Sequence, residues 1–393
     1  ATRVAKIAEK IHERVSIGLG HAPRQVTEIV LTDNAEDANG SATALPFNTI
    51  RLYVTAPDDL SPIGDYDDWY TDLLTHEYAH IAHTDNISGL ATIVNAVLGK
   101  TLAPNQVQPR WILEGLAVVA ESEHSSAGRI RSSLFDMYLR ADVIADHIAG
   151  IDQFSSSPYR WPQGNLWYLY GSFFMQWIAE TYGEQAIRVM IDDYGHQIIP
   201  YGINRSIRRA TGRSYEELFP AFVATLEREF GEQAAAVRAR GLREGTRLTF
   251  AGYRVQNPRF IPGGAWPNTA GDVVYFRDDG HDTPGLYHVP IRRDKNGAII
   301  PTREHDAIAR TFGGGNVTFL PDGSYVFDSI ELHNNLFQFI DLFWMPKGER
   351  SPSGLEAHRV RLTDGFRAYE PDVSPDGKRV VFATNHHGTS HLQ

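Results

Sequence analysis

The chain has no cysteine among its 393 residues. That excludes disulfides, thiolate nucleophiles and cysteine-ligated zinc together, and leaves any metal site to histidine and carboxylate. The compartment stays open, because a cysteine-free chain folds in reducing and oxidising surroundings alike. Basic charge is also short. With a formal net charge of −11, nucleic acid is not expected as a partner, since phosphate binding needs a basic surface. No apolar run approaches the length that crosses a bilayer, so no transmembrane segment is expected. The opening "ATRVAKIAEK" has neither Met nor the apolar core of an export signal, and a trimmed start is expected.

What is present describes a globular protein of two domains, since the length exceeds one ordinary core. Val4, Ile7, Ala8, Ile11 and Val15 recur at helical spacing, with Gly18 and Gly20 as stop signals. "VTEIVLT" (26–32) and "NTIRLYV" (48–54) read as strands, and Asn39-Gly40 between them as a turn. Helical patterning runs from about Asp67, with a loop around Pro104, to about residue 240; one late helix opens with a Ser214/Glu217 capping box. Residues 246–393 change texture, to short apolar runs between Gly, Pro and Asp turns, and are expected to form an all-β domain. Turn glycines Gly271, Gly323 and Gly377 recur at intervals of about fifty residues, as propeller blades do, although ordinary Asp-Gly hairpins would also explain them. Two to three blades fit, fewer than a closed propeller needs, so the chain is expected to be the front part of a longer protein.

The chemistry is concentrated in "LLTHEYAHIAHTDN" (73–86). Residues four apart on a helix share a face, so His76 and His80 can hold one ion with Glu77 beside it, the H-E-x-x-H arrangement of zinc proteases. His83 stands about 10 Å along the axis from His76 and cannot join them on an unbroken helix. The better third ligand is Glu114 in "RWILEGLAVVAES", where Gly115 allows a second helix to approach. Glu121, seven residues on, either accepts a hydrogen bond from a ligand histidine or is a solvated helix charge.

His76-Glu77-x-x-His80 followed by Trp111-x-x-Glu114-Gly115-x-Ala117 resembles the gluzincin metallopeptidases of the aminopeptidase N and leukotriene A4 hydrolase type, within the broader peptidase MA-like group. The resemblance covers residues from about 26 to 240 and implies an α+β fold: a mainly helical, thermolysin-like zinc peptidase domain with a small N-terminal sheet, at 1–245. It implies one zinc ion, His76, His80 and Glu114 as ligands, Glu77 as the base that activates water, and a tyrosine that stabilises the oxyanion. Tyr168, in Tyr168-x-x-Gly171, fits that last role, with Tyr170 as fallback; both could instead be core aromatics. The interval from His80 to Glu114 is longer than in aminopeptidases and reads as an inserted helix and loop. The Gly-x-Met-Glu-Asn stretch that grips a free amino terminus has no counterpart, which favours an endopeptidase. Asn39, Gly40, Ser41 and Ala42 are expected to form the sheet edge that pairs with an extended peptide.

The repeats of 246–393 resemble TolB-like β-propellers, an expected site for a protein partner, and by analogy imply export to the bacterial periplasm or cell envelope. A non-catalytic binding protein acting through its propeller is the alternative reading, and a hydrolase of a non-peptide amide or epoxide a third.

Overall fold

Val4, Ile11, Val15 and Leu19 fall on one buried face, so the first residues coil into α1 (Thr2–Leu19). The helix stops where Gly20 takes a φ of 74°, a left-handed conformation that glycine adopts without a Cβ clash. The computed structural model describes residues 1–58, 61–386 and 388–393. The fold is mixed α+β, and the chain divides into two units, Ala1–Thr32 with Ala38–Leu242, and Asp33–Asp37 with Arg243–Gln393.

In the first unit β1 (Glu28–Thr32), β2 (Gly40–Thr43) and β3 (Thr49–Tyr53) form a sheet of order β1-β3-β2. β1 runs parallel to β3 and β2 antiparallel to it. Asn39-Gly40 is therefore not the turn that its sequence suggests. Gly40 opens β2, and the reversal into β3 is made by residues 44–48. Ile50 and Leu52 of the central strand are fully buried, while β2 lies at the edge with β3 as its only strand partner among the described residues.

Helices supply the rest of this unit: α2 (Trp69–Thr84), α3 (Leu90–Leu98), α4 (Arg110–Glu123), α5 (Ser133–Ile144), α6 (Ile151–Ser155), α7 (Asn165–Tyr182), α8 (Glu184–Gly195), α9 (Ile203–Thr211) and α10 (Tyr215–Ala239). α3 and the short 3-10 turn after it fill the long interval between the two halves of the histidine–glutamate motif. Ser214 caps α10, with Glu217 reaching back to its backbone N–H, as the capping box requires. Trp111, Phe154, Phe174, Tyr215 and Phe222 stack into one aromatic core that carries α4, α6, α7 and α10.

One contact in this core sets the site. A Cβ added to Gly115 of α4 would lie 2.5 Å from the carbonyl oxygen of Gly171 of α7, and one added to Gly171 would meet the Trp111 carbonyl oxygen. The two backbones cross so closely that neither position tolerates a side chain. Glu114 and Tyr168 both sit within a turn of that crossing.

The second unit holds three antiparallel meanders, each with neighbouring strands consecutive in sequence or nearly so. The first is β4 (Arg254–Phe260), β5 (Val273–Asp278), β6 (Gly285–Val289) and β9 (Asp306–Arg310), with the small ribbon β7 (Arg292–Arg293) and β8 (Ile299–Ile300) between the last two. The second is β10 (Val317–Phe319), β11 (Tyr325–His333), β12 (Phe337–Met345) and β13 (Val360–Arg361), and the third β14 (Ala368–Val373), β15 (Val380–His386) and β16 (Thr389–Leu392). Val274, Phe276, Phe327 and Phe343 share one apolar cluster across the first two sheets, and Val326, Leu342 and Ala368 another across the next two.

Two of the repeated glycines sit in close contacts: Gly323 (φ 91°) fits against the Ala265 backbone in the loop between β4 and β5, and Gly377 (φ 68°) against Pro321, whereas an added Cβ at Gly271 (φ 85°) would meet nothing within 4 Å. No closed barrel or ring is present among the described residues. Asp33–Asp37 is part of this unit because it lies along β12: Glu36 N–H donates to the Gln338 carbonyl at 3.0 Å, and Arg367 binds both Asp33 and Glu36.

Candidate metal centre

Asp68 caps α2 by accepting the Thr71 N–H at 3.0 Å, whereas Asp67 is taken up by Ser126. Leu74, Ala79, Ile81 and Ala82 bury the helix into the core, and its remaining face presents Asp72, His76, Glu77 and His80 to a cleft of about 610 Å³. The His76 and His80 rings stand nearly perpendicular, at 85°, with their Nε2 atoms 3.2 Å apart. Glu114 arrives from α4 and puts Oε2 3.5 Å from His76 Nε2 and 3.2 Å from His80 Nε2.

These three separations test whether one ion fits. Zinc bonds of about 2.0–2.1 Å at tetrahedral angles place donor atoms about 3.3 Å apart. The point equidistant from the three donors here lies about 1.9 Å from each, so a single zinc-sized cation placed there would reach all of them. Two imidazoles and one carboxylate with an open side toward a cleft is the donor set of a catalytic rather than a closed structural zinc site. Among the described residues this is the one group of three or more such side chains whose donor atoms come together.

The supporting groups fix how His76 is presented. Glu121 is buried, not a solvated charge, and its Oε2 lies 2.9 Å from His76 Nδ1. Nδ1–H therefore donates to Glu121, and Nε2 is the ring nitrogen left on the cleft side, facing Glu114 and open to a cation that takes the place of its proton. Arg129 grips the same carboxylate through Nε (2.9 Å), Nη2 (2.6 Å) and its backbone N–H (3.1 Å). Arg129 Nη2 also approaches His76 Nδ1 at 2.7 Å; as both are donors, Glu121 Oε2 is their shared acceptor.

The charges follow from these contacts. Burial would raise the Glu121 pKa, but the Arg129 guanidinium holds it at about 2. Burial would raise Glu114 too, yet the His80 and His76 imidazoles hold it well below the usual carboxylate range. Burial and Arg129 would lower His76, and hydrogen bonds to Glu114 and Glu121 instead lift it to about 9. The site is thus built to attract positive charge.

Glu77 lies beside the donors, with a carboxylate that accepts no hydrogen bond from the described residues and a pKa raised by burial. It packs against Gly40 of β2, where any Cβ would strike it, which is the reason a glycine stands there. Tyr168 lines the opposite wall, its ring 6.3 Å from that of His76 and beneath the Arg129 guanidinium at 4.8 Å. Burial pushes its hydroxyl pKa upward, so it is a neutral donor. Tyr170 is elsewhere: its hydroxyl donates to Asp142 at 2.6 Å and accepts from the Ala149 N–H, a structural role.

His83 is buried outside the donor group, facing Asn105 and Gln108, with burial pushing its pKa down to about 3. Asn39, Gly40, Ser41 and Ala42 line the cleft along the outer edge of β2. Sequence reading missed Arg129 and Asp72. Asp72 could have been found from its place one turn before His76, but Arg129 carries no periodic signal.

No protein-family model, curated protein or solved structure matches the chain.

Proposed function

We propose that the first unit is a zinc-dependent peptidase of the gluzincin, thermolysin-like type, acting as an endopeptidase, and that the three meanders are TolB-like propeller blades that bind a protein partner. The observation that carries the reading is the near-equal spacing, 3.2–3.5 Å, of His76 Nε2, His80 Nε2 and Glu114 Oε2 on the wall of a cleft, with Glu77 next to them and unpartnered among the described residues. Zinc held there would supply Lewis acidity, polarising a carbonyl and bringing the pKa of water toward neutrality.

The chain's own groups divide the remaining work. Glu77 takes a proton from the attacking water and later gives it to the leaving amine; its raised pKa suits both directions of transfer. Tyr168 donates its hydroxyl proton in a hydrogen bond to the oxyanion that develops on the scissile carbonyl. Glu121 and Arg129 hold the His76 ring in the tautomer that leaves Nε2 free. The open edge of β2 pairs with an extended substrate through backbone hydrogen bonds.

Metal content before and after chelation, measured beside a broad peptide-library digest, tests the reading. Glu77→Gln should keep the metal and lose about 10²–10⁴-fold in turnover, the usual contribution of a general base. Cleavage by that variant at the wild-type rate overturns the base assignment. Bound zinc with no cleavage of any peptide favours the alternative, a binding protein that works through its sheets.

A further inference from the structure

Asp72 is a buried carboxylate that the hydrolytic steps do not use. It lies one turn before His76 on the same face of α2, about 6 Å along the axis. Its residue is 7% exposed, and it lines the cleft. Oδ2 accepts the Asp67 N–H at 3.1 Å, while Oδ1 has no hydrogen bond and the side chain no ion pair among the described residues.

The neighbouring charges make that arrangement costly. Asp65 lines the same cleft. Arg129, a cation on that wall, is already engaged by Glu121. Burial first, then the Glu121, Asp67 and Asp68 carboxylates, push Asp72 up to about 7. A carboxylate held away from water among other carboxylates is stabilised by whatever cation reaches it. The same cleft is lined by the Tyr66 and Trp69 rings, in edge contact with each other at 5.8 Å, and by Pro62 and Ile63. Such walls accept an aliphatic stem and face a cation with aromatic surface.

We infer that the end of the cleft formed by Tyr66, Trp69 and Asp72 is a subsite for a cationic group of the substrate, an ammonium or guanidinium that pairs with Asp72 Oδ1. The inference rests on the cleft taking a peptide. The cation can be a lysine or arginine side chain or a free amino terminus, because both offer the same charge and donors.

The test is binding to metal-loaded full-length Glu77→Gln protein, which does not consume the probe. Short alanine-based peptides carry lysine or norleucine at successive positions, each with a free or an acetylated amino terminus. At least one cationic peptide should bind about tenfold more tightly than its neutral match, as a charge-assisted hydrogen bond provides. Preference for a lysine position identifies a side-chain subsite, and preference for the unacetylated series an amino-terminal one.

Adding Asp72→Asn, which keeps an acceptor for the Asp67 N–H, should erase the ratio while the neutral peptides bind as before. Asp72→Glu should retain part of it. Equal affinity of all cationic and neutral pairs, or a ratio that survives Asp72→Asn, overturns the subsite. Hydrolysis of the neutral peptides by wild-type protein is read separately, so loss of the peptidase reading and loss of the subsite are distinct results.

Discussion

Gly40→Ala places a methyl group where the Glu77 side chain now lies. The new Cβ would sit 2.9 Å from both Cγ and Cδ of Glu77 and closer still to Oε1. Carbon atoms in contact prefer about 3.5–4.0 Å, so Glu77 must move by roughly 1 Å. It can do so by rotating into the cleft, because its carboxylate has no hydrogen bond to lose among the described residues. The stability cost is that of a displaced rotamer, about 0.5–1.5 kcal/mol, and the lower backbone entropy of alanine offsets part of it. The melting temperature should therefore fall by no more than about 2–4 °C. Activity should respond far more, since about 1 Å of misplacement at a reacting group costs on the order of 10²-fold. The assay is turnover of a cleavable peptide, with metal stoichiometry and thermal unfolding measured on the same preparation. Gly18→Ala, where an added Cβ meets nothing within 4 Å, serves as control. Wild-type turnover in Gly40→Ala would refute the reasoning that Glu77, in its present position, is the working base. Loss of metal or gross unfolding would refute the claim that a flexible side chain absorbs the clash.

Tyr168→Phe should lower turnover by about 10²–10³-fold, as loss of an oxyanion donor does, with the Michaelis constant and the zinc content little changed; equal turnover would remove Tyr168 from the reaction. His83 provides a prediction in pH. Its folded pKa of about 3 lies below the ordinary 6.5, so the unfolded chain binds the extra proton and stability is complete above pH 6.5. Below that, His83 should cost about 1.4 kcal/mol per pH unit, or about 2 kcal/mol by pH 5. In chelated protein, urea titrations of His83→Gln should show a shallower acid loss than wild type over that window. Parallel curves would show that His83 is not buried as a neutral ring.

Several elements were legible because their signals are local. Periodic Val4, Ile11 and Val15 announced α1, and Ser214 with Glu217 announced the start of α10. Asn39-Gly40 shows the opposite case. The dipeptide favours a hairpin turn in isolation, but the glycine is needed for the room it leaves Glu77, a residue distant in sequence. In "NLWYLYG" Tyr168 and Tyr170 are ranked only by the Tyr-x-x-Gly spacing of the resemblance, and helical pattern alone does not separate them. The rotation of α7 about its Gly171 crossing sends one toward the cleft and the other to Asp142.

By itself the sequence determined what depends on one helix turn: His76 and His80 on a common face, with Glu77 between them and Asp72 a turn before. The pitch of the α-helix requires this wherever the segment is helical. Only the tertiary structure decided the rest. The close crossing of Gly115 and Gly171 brings Glu114 to within 3.5 Å of both imidazoles, and a short turn after α4 folds Arg129 back onto Glu121. Contacts between residues far apart in the chain follow from how whole faces pack, and no short stretch of sequence encodes that.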